Sequence, residues 1–353
     1  MSAPIDELAR HASEWLRGEG PLHEIVISTR IRLARNIAGF HFLSQADAEM
    51  RREIAETIEA AAGKTALLRD FVHVNVDEVG EIERNLLVER QLISRQHAEG
   101  VGVRKVLFAP SEASSLMINE EDHLRIQVMR SGLQLEEAWE QIDAIDDALE
   151  EHLDYAFHTR FGYLTACPTN VGTGIRVSVM LHLPALRLTN ELERVGQAAR
   201  DMKLAVRGLF GEGTEALGDF FQISNQITLG RDERDIIDDF HHLVIPQIVE
   251  YEQAARQALL EKKLHALDDK LFRAMGTLQS ARLMSSNEAM QNLSHVRLGL
   301  HVGRLKNIDL HTINELFLQT QPAHLQCLQG QRLSGEQRSL ARAAMIRARL
   351  SHN

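Results

Sequence analysis

The chain has 353 residues, with 39 Lys plus Arg against 50 Asp plus Glu, and a formal net charge of −11. Its 44% apolar and 25% charged residues are those of a soluble globular protein and exclude a disordered one, and the acidic balance argues against a nucleic-acid binder, which needs a net basic face. Two cysteines cannot build a disulfide framework, no apolar run reaches the roughly 18 residues that spanning a bilayer requires, and residues 1–20 lack the apolar stretch of a signal peptide, so the expectation is a cytoplasmic protein with no membrane partner.

Taken in chain order, residues 5–16 have near-helical apolar spacing that ends at Gly18, Gly20 and Pro21, which predicts a short docking helix. Residues 24–33 alternate β-branched and polar side chains and predict a strand. A helix is expected over 45–62. Strands are expected at 72–76, 105–108, 115–118 and 124–129, followed by a long amphipathic helix over 135–156. Further strands are expected at 161–165, 175–182, 204–210 and 220–229, with a helix at 190–202. Strands and helices intermix without regular βαβ spacing, which favours an α+β domain with a largely antiparallel sheet. From 232 onward the pattern is helical, over 234–264, 267–280, 286–302, 309–319 and 335–350. Pro246 interrupts the first of these and can kink it. Ser285 with Glu288, and Ser334 with Gln337, fit capping boxes.

Several chemistries are excluded by absent motifs. There is no phosphate-binding G-x-x-x-x-G-K-[ST] loop, no H-R-D with D-F-G, no H-E-x-x-H and no C-x-x-C pair. The 17 histidines do not cluster at ligand spacing.

Four segments instead place charge or reactivity in apolar strands or glycine-rich turns, where a charge costs energy unless it has a partner. In STRIRLAR (28–35), Arg30 and Arg32 lie two apart and share a strand face; they suit an anion held between them, or a solvated outer face. In NEEDHLR (119–125), Glu120, Glu121 and Asp122 meet His123 and Arg125. Such acids can hold a cation or accept a proton, or form an acidic surface turn. In TACPTNVGTGIR (165–176), Cys167 is either a tuned thiolate or a small buried apolar residue, while Gly172 and Gly174 allow close backbone approach before Arg176. In RGLFGEGTE (207–215), Glu212 lies between Gly211 and Gly213, on a loop able to close over a substrate or on an ordinary hairpin. Together the segments supply Arg30, Arg32, Arg125, Arg176 and Arg207. Arginine recognises phosphate through a planar, permanent charge, so the set points to a local anion site.

In that order and spacing, the four segments resemble the catalytic domain of the phosphagen (guanidino) kinases over about residues 24–254. The small N-terminal domain of the creatine and arginine types is absent, since the first motif begins by residue 25. A helical C-terminal domain containing TQPAHLQ (320–326) takes its place. This arrangement is similar to the bacterial branch of the family that uses ATP to phosphorylate arginine side chains within proteins. The resemblance implies a docking segment at 1–23, a catalytic domain at 24–254 and a regulatory domain at 255–353. It implies Glu121 and Glu212 as grips on the substrate guanidinium, Glu121 as base, and Cys167 as an orienting group. For ATP it implies Ser28, Thr29, Arg30, Ile31, Arg32, Arg125, Arg176, Val177, Ser178, Val179, Met180, Arg207, Gly208 and Gly211. Mg would be held by the nucleotide phosphates, with no protein metal site.

The same resemblance implies protein substrates with exposed arginine, an activator protein, stress-linked marking for a Clp-type protease, and a homodimer. It also implies an allosteric phosphoarginine site at Arg338, Ser339, Arg342 and Ala343, where Ser339 stands in place of the family's aspartate. Gln91 stands where the family often has a histidine near adenine. The alternatives are a kinase for free arginine or another small guanidino compound, and a non-catalytic phosphoarginine-binding adaptor.

Overall fold

The computed structural model describes residues 3–208 and 217–351. Residues expected as one N-terminal helix form α1 (Ala3–Leu8) and a separate 3-10 turn at Glu14–Leu16. The break falls where buried Ser13 turns inward and donates to Glu112 Oε2 at 3.1 Å. Strand β1 (Val26–Arg35) is followed by α2 (Ala48–Lys64), whose cap Asp47 accepts from the Met50 amide. After β2 (Val72–Asn75) come α3 (Glu81–Glu89) and α4 (Arg95–Glu99). Both are too short to display a helical period in the sequence.

Strands β3 (Lys105–Phe108), β4 (Ser114–Ile118) and β5 (Leu124–Ser131) lead to α5 (Leu135–Glu150). A two-residue hairpin, β6 (Phe157–His158) with β7 (Gly162–Tyr163), replaces the expected longer strand. Then follow β8 (Ile175–His182), α6 (Pro184–Leu188), α7 (Leu192–Asp201), β9 (Leu204–Gly208) and β10 (Phe220–Asn225). The last strand stops short of 229. There Asn225 Oδ1 accepts from the Val177 amide at 2.9 Å, so a side chain takes over the ladder bond and the main chain leaves the sheet.

Eight strands form one sheet in the order β2-β3-β4-β5-β1-β8-β10-β9, with every neighbouring pair antiparallel. The side-chain period of two splits the sheet into unlike faces. Ile31, Leu33, Ile126, Val128, Val177, Val179 and Ile223 are fully buried on one of them, and α5 packs against β1 and β5. Directly paired residues share a face, so Arg30, Arg32, Arg125, Gln127, Arg176, Ser178, Gln222 and Ser224 all lie on the other.

Beyond Asn225 the chain is helical: α8 (Glu233–Asp239), α9 (Ile245–Lys262), α10 (Leu264–Ser280), α11 (Ser286–His301), α12 (Leu310–Gln319), α13 (Pro322–Gln329) and α14 (Gly335–Leu350). A π turn at Phe240–Val244 joins α8 to α9 just ahead of Pro246. Proline has no N–H to give, and the wider turn absorbs the interruption the sequence foretold. The Ser334–Gln337 capping box is complete, while Ser285 makes only the side-chain half, accepting from the Glu288 amide. Arg297, fully buried on α11, bonds the carbonyls of His23 and Glu24 and His182 Nδ1, fastening the helical region to the sheet.

Candidate phosphate and guanidinium site

Antiparallel register brings the arginines together. Arg32 is paired directly with Arg176 across β1 and β8, and Arg125 lies opposite Ala34 on β5, two residues further along the same face. Arg207 pairs with Gln222, which accepts from Arg30 Nη2 at 2.6 Å. Arg30 also donates to Gln91 Oε1 (3.1 Å) and Ser178 Oγ (3.3 Å). Burial, with the charges of Arg176, Arg125 and Arg207, lowers its pKa to about 10. Burial and the charges of Arg30, Arg125 and Arg176 push Arg32 well below the usual guanidinium range. The buried Arg32 Nε has no hydrogen-bond partner among the described residues. A face that gathers this many guanidinium groups suits a polyanion, and a polyphosphate oxygen offers both the charge and an acceptor for Arg32 Nε.

The acidic segment divides its work. Glu120 is almost fully buried, bonded to Arg125 at 2.6 Å and accepting from Ser94 Oγ. Burial raises its pKa, but Arg125, the Ser94 bond and Arg32 outweigh this and keep it below the usual carboxylate value. Glu121 is one-third exposed and touches Arg125 at 3.1 Å, so of the two glutamates that line the cleft it is the more accessible. Asp122 and His123 are buried and structural. Asp122 Oδ1 accepts from Asn36 Nδ2 and from the Ala166 amide, both at 2.7 Å, and His123 Nδ1 accepts from the Ile37 amide.

Asp122 thereby anchors the loop that carries Cys167, whose partly exposed Sγ lies 3.0 Å from Thr169 Oγ1. Gly174, at φ 69°, lets this loop close on β1: a Cβ there would lie 2.6 Å from the Ala34 carbonyl. The result is a cleft of about 740 Å³ whose lining includes Arg32, Glu121, Arg125, Cys167, Arg176 and Arg207.

Not every predicted residue is brought to this cleft. Ile31, Val177 and Val179 point into the apolar core on the opposite face, so their side chains support the site from behind. Thr29 also points away from the arginine face; it donates to the Gly132 carbonyl and pins β1 to the turn after β5. Ser28 and Met180 are paired on the arginine face but buried, and Gly208 ends β9. Glu212 and Gly211 lie outside the described residues. On α14 the Ser339 carbonyl accepts from the Met284 amide just before α11, Arg338 donates to the Leu333 carbonyl at 2.9 Å, and Ala343 is buried. Arg342 is buried there and donates to the carbonyls of Thr320 (2.7 Å) and Met284 (3.0 Å). Gln91, expected near adenine, instead accepts from Arg30. Ser94, Gln222 and Asn225 were not expected from the sequence. Each is a polar residue beside apolar ones, and only its cross-strand or cross-element partner marks it.

Comparison with known proteins places the chain in a family. The profile of the family described as ATP:guanido phosphotransferase, C-terminal catalytic domain, matches residues 53–255. That of the protein-arginine kinase McsB C-terminal domain matches residues 264–353. A protein-arginine kinase from Halothermothrix orenii is 44% identical over 346 residues, covering 98% of this chain and 99% of its own. One from Geobacillus stearothermophilus is 47% identical over 346 residues, covering 96% and 93%. Among solved structures, the duplicated taurocyamine kinase from Schistosoma mansoni with bound transition state analog components superimposes with a TM-score of 0.60 at 26% identity. The match spans 67% of this chain and 34% of that one. Lombricine kinase gives a TM-score of 0.58 at 25% identity, spanning 71% and 75%.

Proposed function

Because the chain belongs to the protein-arginine kinases, within the ATP:guanido phosphotransferase family, we propose that its arginine-faced cleft transfers the γ-phosphoryl group of ATP to arginine side chains of proteins. The observation that carries the residue assignment is the convergence of Arg32, Arg125, Arg176 and Arg207 with Glu121 and Cys167 on one cleft. Arg30, on the same sheet face, completes the cationic set.

An arginine guanidinium is protonated near neutrality, with a pKa of about 12.5–13.8, and is a poor nucleophile until it loses that proton. Glu121 holds the acceptor's plane and takes the proton as the N–P bond forms and the bond from the γ-phosphorus to the bridging oxygen breaks, releasing ADP. Glu212 is proposed as the second grip. The arginines neutralise the phosphate oxygens, where phosphoryl transfer needs charge most. In the structure Arg125 holds Glu121. A nucleotide phosphate that takes over Arg125 frees Glu121 for the acceptor, so nucleotide binding prepares the guanidinium site. Cys167 packs beside the acceptor and orients it.

Mg fits as a companion of the nucleotide. Glu120 and Glu121, the carboxylates beside the phosphate-binding arginines, are both engaged with Arg125. Phosphate oxygens and water are the ligands this ion favours, and bound there it supplies further neutralising charge. Phosphoarginine binding at Arg338 and Arg342, an activator protein, a homodimer and marking for a Clp-type protease belong to the same proposal. Among the described residues no helix is long and apolar enough to cross a membrane.

The test is incubation with Mg and ATP of either a folded basic protein or free arginine, read by mass spectrometry without acid handling. Phosphoarginine on the protein is expected. Phosphorylation of free arginine alone would make the chain a small-guanidino kinase, and phosphoarginine binding without turnover would make it an adaptor.

A further inference from the structure

Three consecutive residues at the end of α3 reach to three parts of the molecule. Glu89 is buried, and its carboxylate accepts from the Ala323 amide (2.8 Å), the His324 amide (2.9 Å) and His324 Nδ1 (2.7 Å). It therefore caps α13, the helix that Pro322 opens. Arg90, fully buried, donates from Nε to Glu112 Oε2 (2.8 Å) and from Nη1 to the His11 carbonyl (3.2 Å), and lies 3.3 Å from His324 Nε2. With Nδ1 donating to Glu89, Nε2 is the acceptor, and His324 links the side chains of Glu89 and Arg90. Gln91 follows in the left-handed region, at φ 60°, where a side chain is strained. Its carbonyl accepts from Gln127 Nε2 (2.8 Å), and its Oε1 accepts from Arg30 Nη1 (3.1 Å).

We propose that Gln91 is the positioning residue that fixes Arg30 on the phosphate-binding face, and that the helical C-terminal region holds Gln91 in place by its grip on Glu89. This rests on reading the arginine face as a nucleotide site. Arg30 is surrounded by like charge from Arg176, Arg125 and Arg207, and among the described residues its hydrogen-bond acceptors are the neutral Ser178, Gln91 and Gln222. Gln91 is the acceptor that comes from outside the strands of that face. Its backbone is strained and relaxes if the last turn of α3 is released. Glu89, two residues away, is fastened to a helix more than 200 residues further along the chain.

ADP binding by calorimetry at fixed salt tests the link in the full-length protein, because it needs no acceptor and no turnover. Gln91→Ala is expected to weaken ADP about tenfold. Glu89→Gln, which keeps the volume but replaces one of the two acceptor oxygens by a donor, is expected to weaken it by a similar factor while a single cooperative melting transition is retained. The double variant is expected to be no worse than Gln91→Ala, since both act through one route. His324→Asn approaches the same bond from the helical side and serves if Glu89 variants fail to fold. Wild-type ADP affinity in folded Glu89→Gln or His324→Asn, or a double-variant loss equal to the product of the single losses, overturns the inference. An unaltered protein that binds no ADP overturns the nucleotide reading, and this inference with it.

Discussion

Arg32 illustrates the exchange of stability for function at a single residue. Its charge is buried beside three other guanidinium groups, and its Nε lacks a partner among the described residues. Replacing such a group by an apolar side chain of similar length removes repulsion and desolvation from the folded state. Arg32→Met should melt at the same temperature as the unaltered protein or higher, yet bind ADP on the order of a hundredfold more weakly, as expected for a lost phosphate contact of about 3 kcal/mol. A lower melting temperature with unchanged ADP affinity would assign Arg32 a structural role. Glu121 and Cys167 separate on the same scale. A positioned base contributes roughly 10²–10⁴-fold, so Glu121→Gln should lose turnover by about that factor with ADP binding kept. Cys167→Ser should lose only about tenfold or less. Steady-state rates with a protein acceptor check both, and near-equal losses would contradict the roles given to them.

At the scale of elements, the site depends on how closely the Cys167 loop approaches β1. Gly174 permits that approach through its positive φ and its missing side chain. Gly174→Ala brings a methyl group against the Ala34 carbonyl and forces an L residue into the left-handed region. A loss of about 2 kcal/mol in urea denaturation is expected, with activity falling further than stability because the loop carries Cys167. If alanine is tolerated at full stability and rate, the close approach is not what shapes the cleft. Other elements were plain from their own residues. The alternation over β1 and β8, the arginine pair at 30 and 32, and the Pro246 interruption are local patterns with local causes. The short α3, α4 and α13 were not legible, because five to nine residues hold too few turns to display a period.

At the scale of the molecule, buried histidines set the acid limit. Burial, against the pull of Glu120, lowers His97 to about 4. Burial, against the pull of Asp219, lowers His295 likewise to about 4. Both titrate near 6.5 when unfolded, so between those values the unfolded chain binds protons that the folded chain refuses. Their contribution is fully present above about pH 6.5 and is lost as pH falls toward 4, by on the order of 3 kcal/mol each at most. Urea midpoints should therefore fall steadily from pH 7 to pH 4.5. His97→Gln should flatten that fall, and an unchanged slope would remove His97 from the account.

The sequence by itself determined which segments are extended or helical over most of the chain. It also determined which residue types could serve as phosphate clamp and proton acceptor, because side-chain period and charge are properties of neighbours in sequence. Only the tertiary structure decided that β1 lies between β5 and β8, which sets Arg32 against Arg176 and turns Ile31, Val177 and Val179 away from the cleft. It alone divided the acids, burying Asp122 and leaving Glu121 at the cleft. It alone put Gln91 against Arg30 and Glu89 under α13. Strand order and register are fixed by packing between segments far apart in the chain, and nothing in the local pattern of either partner encodes which other segment it will meet.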